Sequence, residues 1–329
     1  MLKLAHEKFI KARDYIFTHG DDITRAWFRY TFEGNDTDAF MDVLARYQHD
    51  NGGFGGLDYE FAYQGPCLKS TEHAIDYILN LKEKPPADNP VIQNMMGYLL
   101  AQYHPEIGNW GPEVVVPEVN EGVHCHWARY RGHLLTPMES ENERLQNYDA
   151  NEKVCFAAFV ALYSELVEET LYQDIIKYPI AHILRYWDEN SPDYNKATFE
   201  EGSPYDFEYY QWFVPCLKDK ETAHKLATIL RQNPTVFMEL DFTKSDSGYV
   251  HLPCDFGVIA PDNIIYSAVK THVDDSLTYR MKQQSDDGRW PLGWSFGEEE
   301  GFRKLQVLCE ASRTMAMLAK LARFERIEL

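Results

Sequence analysis

Three times along this chain an apolar, helix-like run reaches a Gln and passes into a glycine turn that carries an aromatic residue. The first is Ala45-Arg-Tyr-Gln-His-Asp-Asn-Gly-Gly-Phe-Gly-Gly, ending at Gly56. The second is Leu99-Leu-Ala-Gln-Tyr-His-Pro-Glu-Ile-Gly-Asn-Trp110, and the third is Met281-Lys-Gln-Gln-Ser-Asp-Asp-Gly-Arg-Trp290. A Gln at a helix end can hydrogen-bond the free backbone groups of neighbouring termini. The Gly that follows permits a positive φ. The aromatic two residues later (Phe54 after Gly52, Trp110 after Gly108, Trp290 after Gly288) can fold back and pack. Gln48, Gln102, Gln284, Phe54, Trp110 and Trp290 are therefore read as clasps between helical hairpins.

The rest of the chain reads as helices. Helical spacing covers residues 4–18, 23–32 and 37–48, with Gly20 as a stop and Asp21-Asp22 as N-cap residues. Further helices are expected at 70–82, 91–103, 123–135, 152–168, 171–188 (kinked or cut short at Pro179), 220–232, 262–272, 274–284 and 302–323. Residues 138–151 read as a polar loop and 234–260 as irregular. The acidic, aromatic stretch from Glu200 to Tyr210 leads into a short helix ending near Lys218. No Gly/Ser-rich linker separates two halves, so one all-α domain over residues 1–329 is expected, built on a degenerate repeat.

The segments Gln48 to Phe54, Gln102 to Trp110 and Gln284 to Trp290 resemble the Gln-Trp repeat of squalene–hopene cyclases and protein prenyltransferase β subunits. The last fits best, as Gln-x-x-Asp-Gly-x-Trp. The resemblance implies an (α/α)6 toroid, a ring of helical hairpins. It also implies a small-molecule ligand, apolar and isoprenoid in character, bound or transformed in a central cavity. The catalytic motifs of these enzymes do not carry over. No Asp-x-Asp-Asp and no Asp-x-Cys occur; Asp274-Asp275 and Asp286-Asp287 are bare pairs, the first read as a helix cap.

Candidate chemistry lies in three stretches. Asp58 and Glu60 follow the first turn, beside Tyr59, Phe61 and Tyr63. Asp206 and Glu208 alternate with Tyr205, Phe207, Tyr209 and Tyr210, near Trp212; in extended backbone both acids would share a face. The run His124-Cys-His126-Trp127-Ala-Arg129-Tyr-Arg131-Gly-His133 is the most basic patch. His124 and His126 are candidate zinc ligands if extended, and Arg129 and Arg131 suit an anion. Asp255 is a weaker candidate acid.

Three functions fit these residues. One is a terpenoid-cyclase-like or prenyltransferase-like protein, with aromatics around a cationic centre and Asp58, Glu60 or His124 as acid or base. Another is a carbohydrate-active enzyme with Asp58, Asp206 and Glu208 in a groove, where paired carboxylates divide acid and base roles. The third is a non-catalytic toroid that binds a protein or peptide.

Charge and composition narrow the partners. Lys and Arg total 32 against 52 Asp and Glu, a formal charge of −20, which repels nucleic acid and anionic lipid. No apolar run approaches the roughly 20 residues of a membrane span. The N-terminus lacks the pattern of a signal peptide, and six scattered cysteines read as reduced thiols. Together these predict a cytoplasmic protein. No phosphate-binding glycine loop is present.

Overall fold

The computed structural model describes residues 2–60, 62–111, 140–146, 148, 150–194, 204–246, 250–256 and 260–329. The described residues are mostly helical. In chain order the helices are α1 (His6–His19), α2 (Asp22–Phe32), α3 (Thr37–Leu44), α4 (Leu68–Asn80), α5 (Pro90–Gln102) and α6 (Glu141–Gln146). They continue with α7 (Asn151–Leu162), α8 (Glu169–Tyr186), α9 (Pro204–Cys216), α10 (Lys220–Leu230), α11 (Tyr266–Lys282) and α12 (Glu300–Arg323). One antiparallel pair, Tyr103–His104 with Asn109–Trp110, forms the second turn.

Local chemistry sets the boundaries. Asp21 and Asp36 cap α2 and α3 by accepting from Thr24 N and Ala39 N. Four expectations change. Helix α4 starts at Leu68 rather than Ser70, because Cys67 Sγ accepts from Ser70 N. The loop expected at 138–151 contains α6, capped by Ser140 Oγ on Glu143 N at 3.2 Å. The two helices expected across 262–284 form one helix, α11, and Asp274 is not a cap: it lies inside α11 and pairs with Lys270 at 3.0 Å. Helix α8 runs past Pro179 to Tyr186, with Tyr178, Pro179 and Ile183 buried in the core.

Helix α7 is the most deeply set, with every residue from Val154 to Ala161 buried. It packs against α4, α8 and α9. The chain ends meet: α12 packs on both α1 and α2, and Leu4 bridges to Ile327.

Two clasps share one geometry. Gln48 Nε2 donates to Gly52 O at 3.0 Å and to Val91 O in α5 at 3.0 Å. Gln284 Nε2 donates to Gly288 O at 2.8 Å and to Lys8 O in α1 at 3.0 Å. The aromatic's N–H is held the same way in both: Phe54 N by Thr71 Oγ1 at 3.1 Å, Trp290 N by Thr314 Oγ1 at 3.0 Å. Gly52 and Gly288 have φ of 87° and 97°. A methyl group would strike Asn94 O at the first and the Lys11 carbonyl at the second. Each glycine thus meets the neighbouring helix three residues beyond the carbonyl its Gln has bound. The indoles reach back to the preceding helix, Trp110 Nε1 to Leu99 O at 2.9 Å and Trp290 Nε1 to Arg280 O at 2.7 Å.

Gly288→Ala is expected to destabilise the protein by about 2 kcal/mol or more, from strain and collision together. Gly97→Ala, on the open face of α5, is expected to be stabilising by about 0.5–1 kcal/mol. Urea denaturation of both variants checks this; a Gly288→Ala protein as stable as wild type would remove the clasp from the account.

Candidate functional site

A cavity of about 520 Å³ lies beside α9, α11 and α12, within the range for small-molecule sites. Glu208 enters from α9, Arg280 and Gln283 from the end of α11, and Arg313, Met317 and Lys320 from α12. His251 and Asp255 come from the irregular segment before α11, and Trp290 from the third clasp. The clasp is therefore part of the cavity wall.

Asp255 is the fixed charge of this site. Arg280 grips both its oxygens, through Nε at 3.1 Å and through Nη2, and Leu252 N donates to Oδ2 at 3.0 Å. Burial pushes its carboxyl up, but Arg280, with Lys320 and Arg313, more than offsets that and holds it below the ordinary range. Arg280 is steadied in turn by Gln283 Oε1 at 2.8 Å. Lys320 Nζ donates to Cys254 O. Burial lowers His251, and Arg280 and Arg313 add to that against the pull of Asp255, so the imidazole is neutral at pH 7.

Glu208 behaves in the opposite way. Burial and the nearby charge of Asp76 push its carboxyl up to about 8; Asp255 and Glu72 add to the rise and Lys320 opposes it. It is protonated at neutral pH. Asp76 belongs to a polar stripe on α4 formed by Lys69, Glu72, His73, Asp76 and Asn80. Burial raises Asp76 to about 6, with His73, Asn80 and Arg323 restraining the rise. Asn80 Nδ2 donates to Asp76 Oδ1 at 2.6 Å. Glu72 is buried and held by Lys69 at 2.7 Å and by the Tyr209 hydroxyl. His73 Nε2 lies 2.8 Å from Asp58 Oδ2. Burial pulls this imidazole down, but the hydrogen bond and charge of Asp58, with Glu72, carry it above its ordinary value.

The residues singled out in the sequence fall in several places. Glu208 lines the cavity. Asp58 is buried and reaches the α4 stripe through His73. Glu60 lies near Cys309, whose thiol rises to about 12 through burial first and then the charge of Glu60, with Asp58 adding to it. Tyr59 donates to Asp21 Oδ2 at 2.7 Å, a tie to the cap of α2. The Tyr63 ring lies over Gly65. Tyr209 supports Glu72, and Trp212 packs against Tyr209 with ring centroids 5.7 Å apart. Asp206 and Glu208 do not share a face as extended backbone would place them. Both sit in α9, where positions two apart diverge by roughly 200°. Tyr205 falls in the first turn of α9, and nothing is described of its side chain. His124, His126, Trp127, Arg129 and Arg131, and with them the zinc site, lie outside the described residues.

The sequence reading missed Glu72, His73, Asp76, Arg280, Arg313 and Lys320. Their signal is a polar stripe at helical spacing, such as Gln306, Glu310, Arg313 and Lys320 on α12. No described helix is long and apolar enough to cross a membrane. No family model matches the chain, and no curated protein or solved structure matches it either.

The raised Glu208 carboxyl links stability to pH. The folded state keeps a proton there that the unfolded chain releases near 4.5, so stability falls as pH rises from about 4.5 to about 8. Glu208→Gln removes that loss. Its melting temperature should match wild type near pH 4.5 and exceed it at pH 9; a constant offset between the two melting curves across that window would contradict the assignment.

Proposed function

We propose that the chain closes into an (α/α)6 toroid and that its cavity is the active site of a carbohydrate-active enzyme. Ring closure is supported by the packing of α12 on α1 and α2 and by the Gln284 amide that ties the third clasp to Lys8. The function rests on one observation above others: Glu208, held protonated to about 8, shares a cavity with Asp255, held ionised. Two carboxyls driven apart by their surroundings divide the labour of glycoside cleavage. Glu208 donates its proton to the departing glycosidic oxygen as the C–O bond breaks. The Asp255 carboxylate stabilises the positive charge that develops on the sugar, and water then adds to the anomeric carbon and returns its proton to Glu208. Burial, with the charge of Asp76, keeps Glu208 protonated, and Asp58 acts at one remove through His73.

The isoprenoid reading draws less support. It calls for an apolar cavity, and this lining carries Glu208, Asp255, Arg280, Arg313 and Lys320. The protein-binding reading calls for an exposed apolar patch; the large hydrophobic side chains exposed among the described residues are Leu2, Leu240 and Leu329.

The test is hydrolysis of a panel of oligosaccharides, read as new reducing ends. Turnover should decline above about pH 8 as Glu208 loses its proton. Glu208→Gln should lower kcat by about 10²–10⁴-fold with KM little changed, the usual worth of a general acid. Turnover that survives Glu208→Gln, or none on any glycoside, overturns the reading.

A further inference from the structure

Among the described arginines, Arg313 alone makes no hydrogen bond or ion pair to a described residue. Arg280 holds Asp255, Arg289 holds Asp287 and Glu310, and Arg326 donates to Leu2 O and Thr278 Oγ1. Arg144, also partly buried, donates to Tyr178 Oη, and the exposed Arg231 donates to Ile264 O. Arg313 is partly buried on α12 and lines the cavity. It feels the charge of Asp255 without reaching it, because Arg280 occupies that carboxylate. A guanidinium partly drawn out of bulk water with no hydrogen-bonded partner is unfavourable. The lining around it is also of the wrong sign for a chain of net charge −20. Arg280, Arg313 and Lys320 face Asp255 as the ionised carboxylate, since Glu208 keeps its proton.

We infer that Arg313 is the anchor of a carboxylate subsite, and that the sugar this cavity takes is an acidic one. The inference rests on the carbohydrate reading above and deepens it. One guanidinium matches one carboxylate through two parallel N–H···O bonds. The remaining lining cations are already engaged, Arg280 by Asp255 and Lys320 by Cys254 O. With Arg280 held at Asp255, Arg313 is the guanidinium fork left in the lining, and one carboxylate fills it. Arg313 and Glu208 line the same cavity, so the subsite would orient the sugar while Glu208 delivers its proton.

Calorimetric titration tests this with three probes: a glucuronate-terminated disaccharide, the same disaccharide ending in glucose, and tricarballylate, a carboxylate that is not a sugar. Wild type should bind the glucuronate form at least about tenfold tighter than the glucose form. Arg313→Gln should weaken the glucuronate form by about ten- to a hundredfold and leave the glucose form unchanged. Equal binding of both disaccharides, indifferent to Arg313→Gln, overturns the subsite and leaves the carbohydrate reading standing. Tricarballylate binding that depends on Arg313, with neither disaccharide bound, overturns the acidic sugar and the carbohydrate reading while keeping a carboxylate anchor. Binding of no probe overturns both. Because Arg313 has no partner among the described residues, the variant should melt like wild type. If it does not fold, Arg313→Lys carries the test. Losing the fork should cut the preference for the glucuronate form severalfold, and an unchanged preference overturns the inference.

Discussion

The amide of one glutamine, shared between its own turn and the neighbouring helix, is the contact on which the rest of this structure depends. Gln284 joins Gly288 O to Lys8 O and so fastens the C-terminal hairpin to the first helix of the chain. Gln48 repeats the joint between the first turn and α5. Such a joint replaces water at carbonyls that would otherwise be buried with less than their full complement of partners. It also works only where the following residue has no side chain, which is why a glycine at positive φ stands at both sites. The same clasp reaches the chemistry. Trp290 donates its indole N–H to Arg280 O, and Arg280 holds Asp255. A displaced clasp would therefore shift the carboxylate of the candidate site.

An interior rich in charge is costly, and this chain meets the cost mainly by pairing. Glu72 takes Lys69 and Tyr209, Asp58 takes His73, and Asp255 takes Arg280. Glu208 is treated differently. Burial first, and then the carboxylates around it, led by Asp76, make ionisation unfavourable, so it keeps its proton. A protonated acid beside an ionised one is a stored asymmetry, and acid–base chemistry on a neutral-pH substrate needs that asymmetry.

Much of the fold was legible in the sequence. Apolar spacing located most helices, Asp21 announced the start of α2, and the three turns were recognisable because Gln, Gly and aromatic residues have separable jobs at fixed spacing. What stayed hidden has a common physical cause. A charged stripe on an amphipathic helix has the same period whether it faces bulk water or a cavity. For Glu72, His73 and Asp76 on α4, and Arg313 and Lys320 on α12, the sequence therefore carries no sign of which they face. Asp206 and Glu208 invited a period of two, and the helix α9 overrode it through the buried Phe207, Tyr210, Phe213 and Val214. The Asp255–Arg280 pair joins residues 25 apart in sequence, and no local pattern announces such a pairing.

The protonation of Glu208 carries the functional account, and carboxyl ¹³C NMR of glutamate-labelled protein measures it directly. Assignment by comparison with Glu208→Gln would isolate its resonance. The account predicts a titration midpoint near 8, moving down in Asp76→Asn as the neighbouring charge is removed. A midpoint near the ordinary 4.5, or one indifferent to Asp76→Asn, would contradict it.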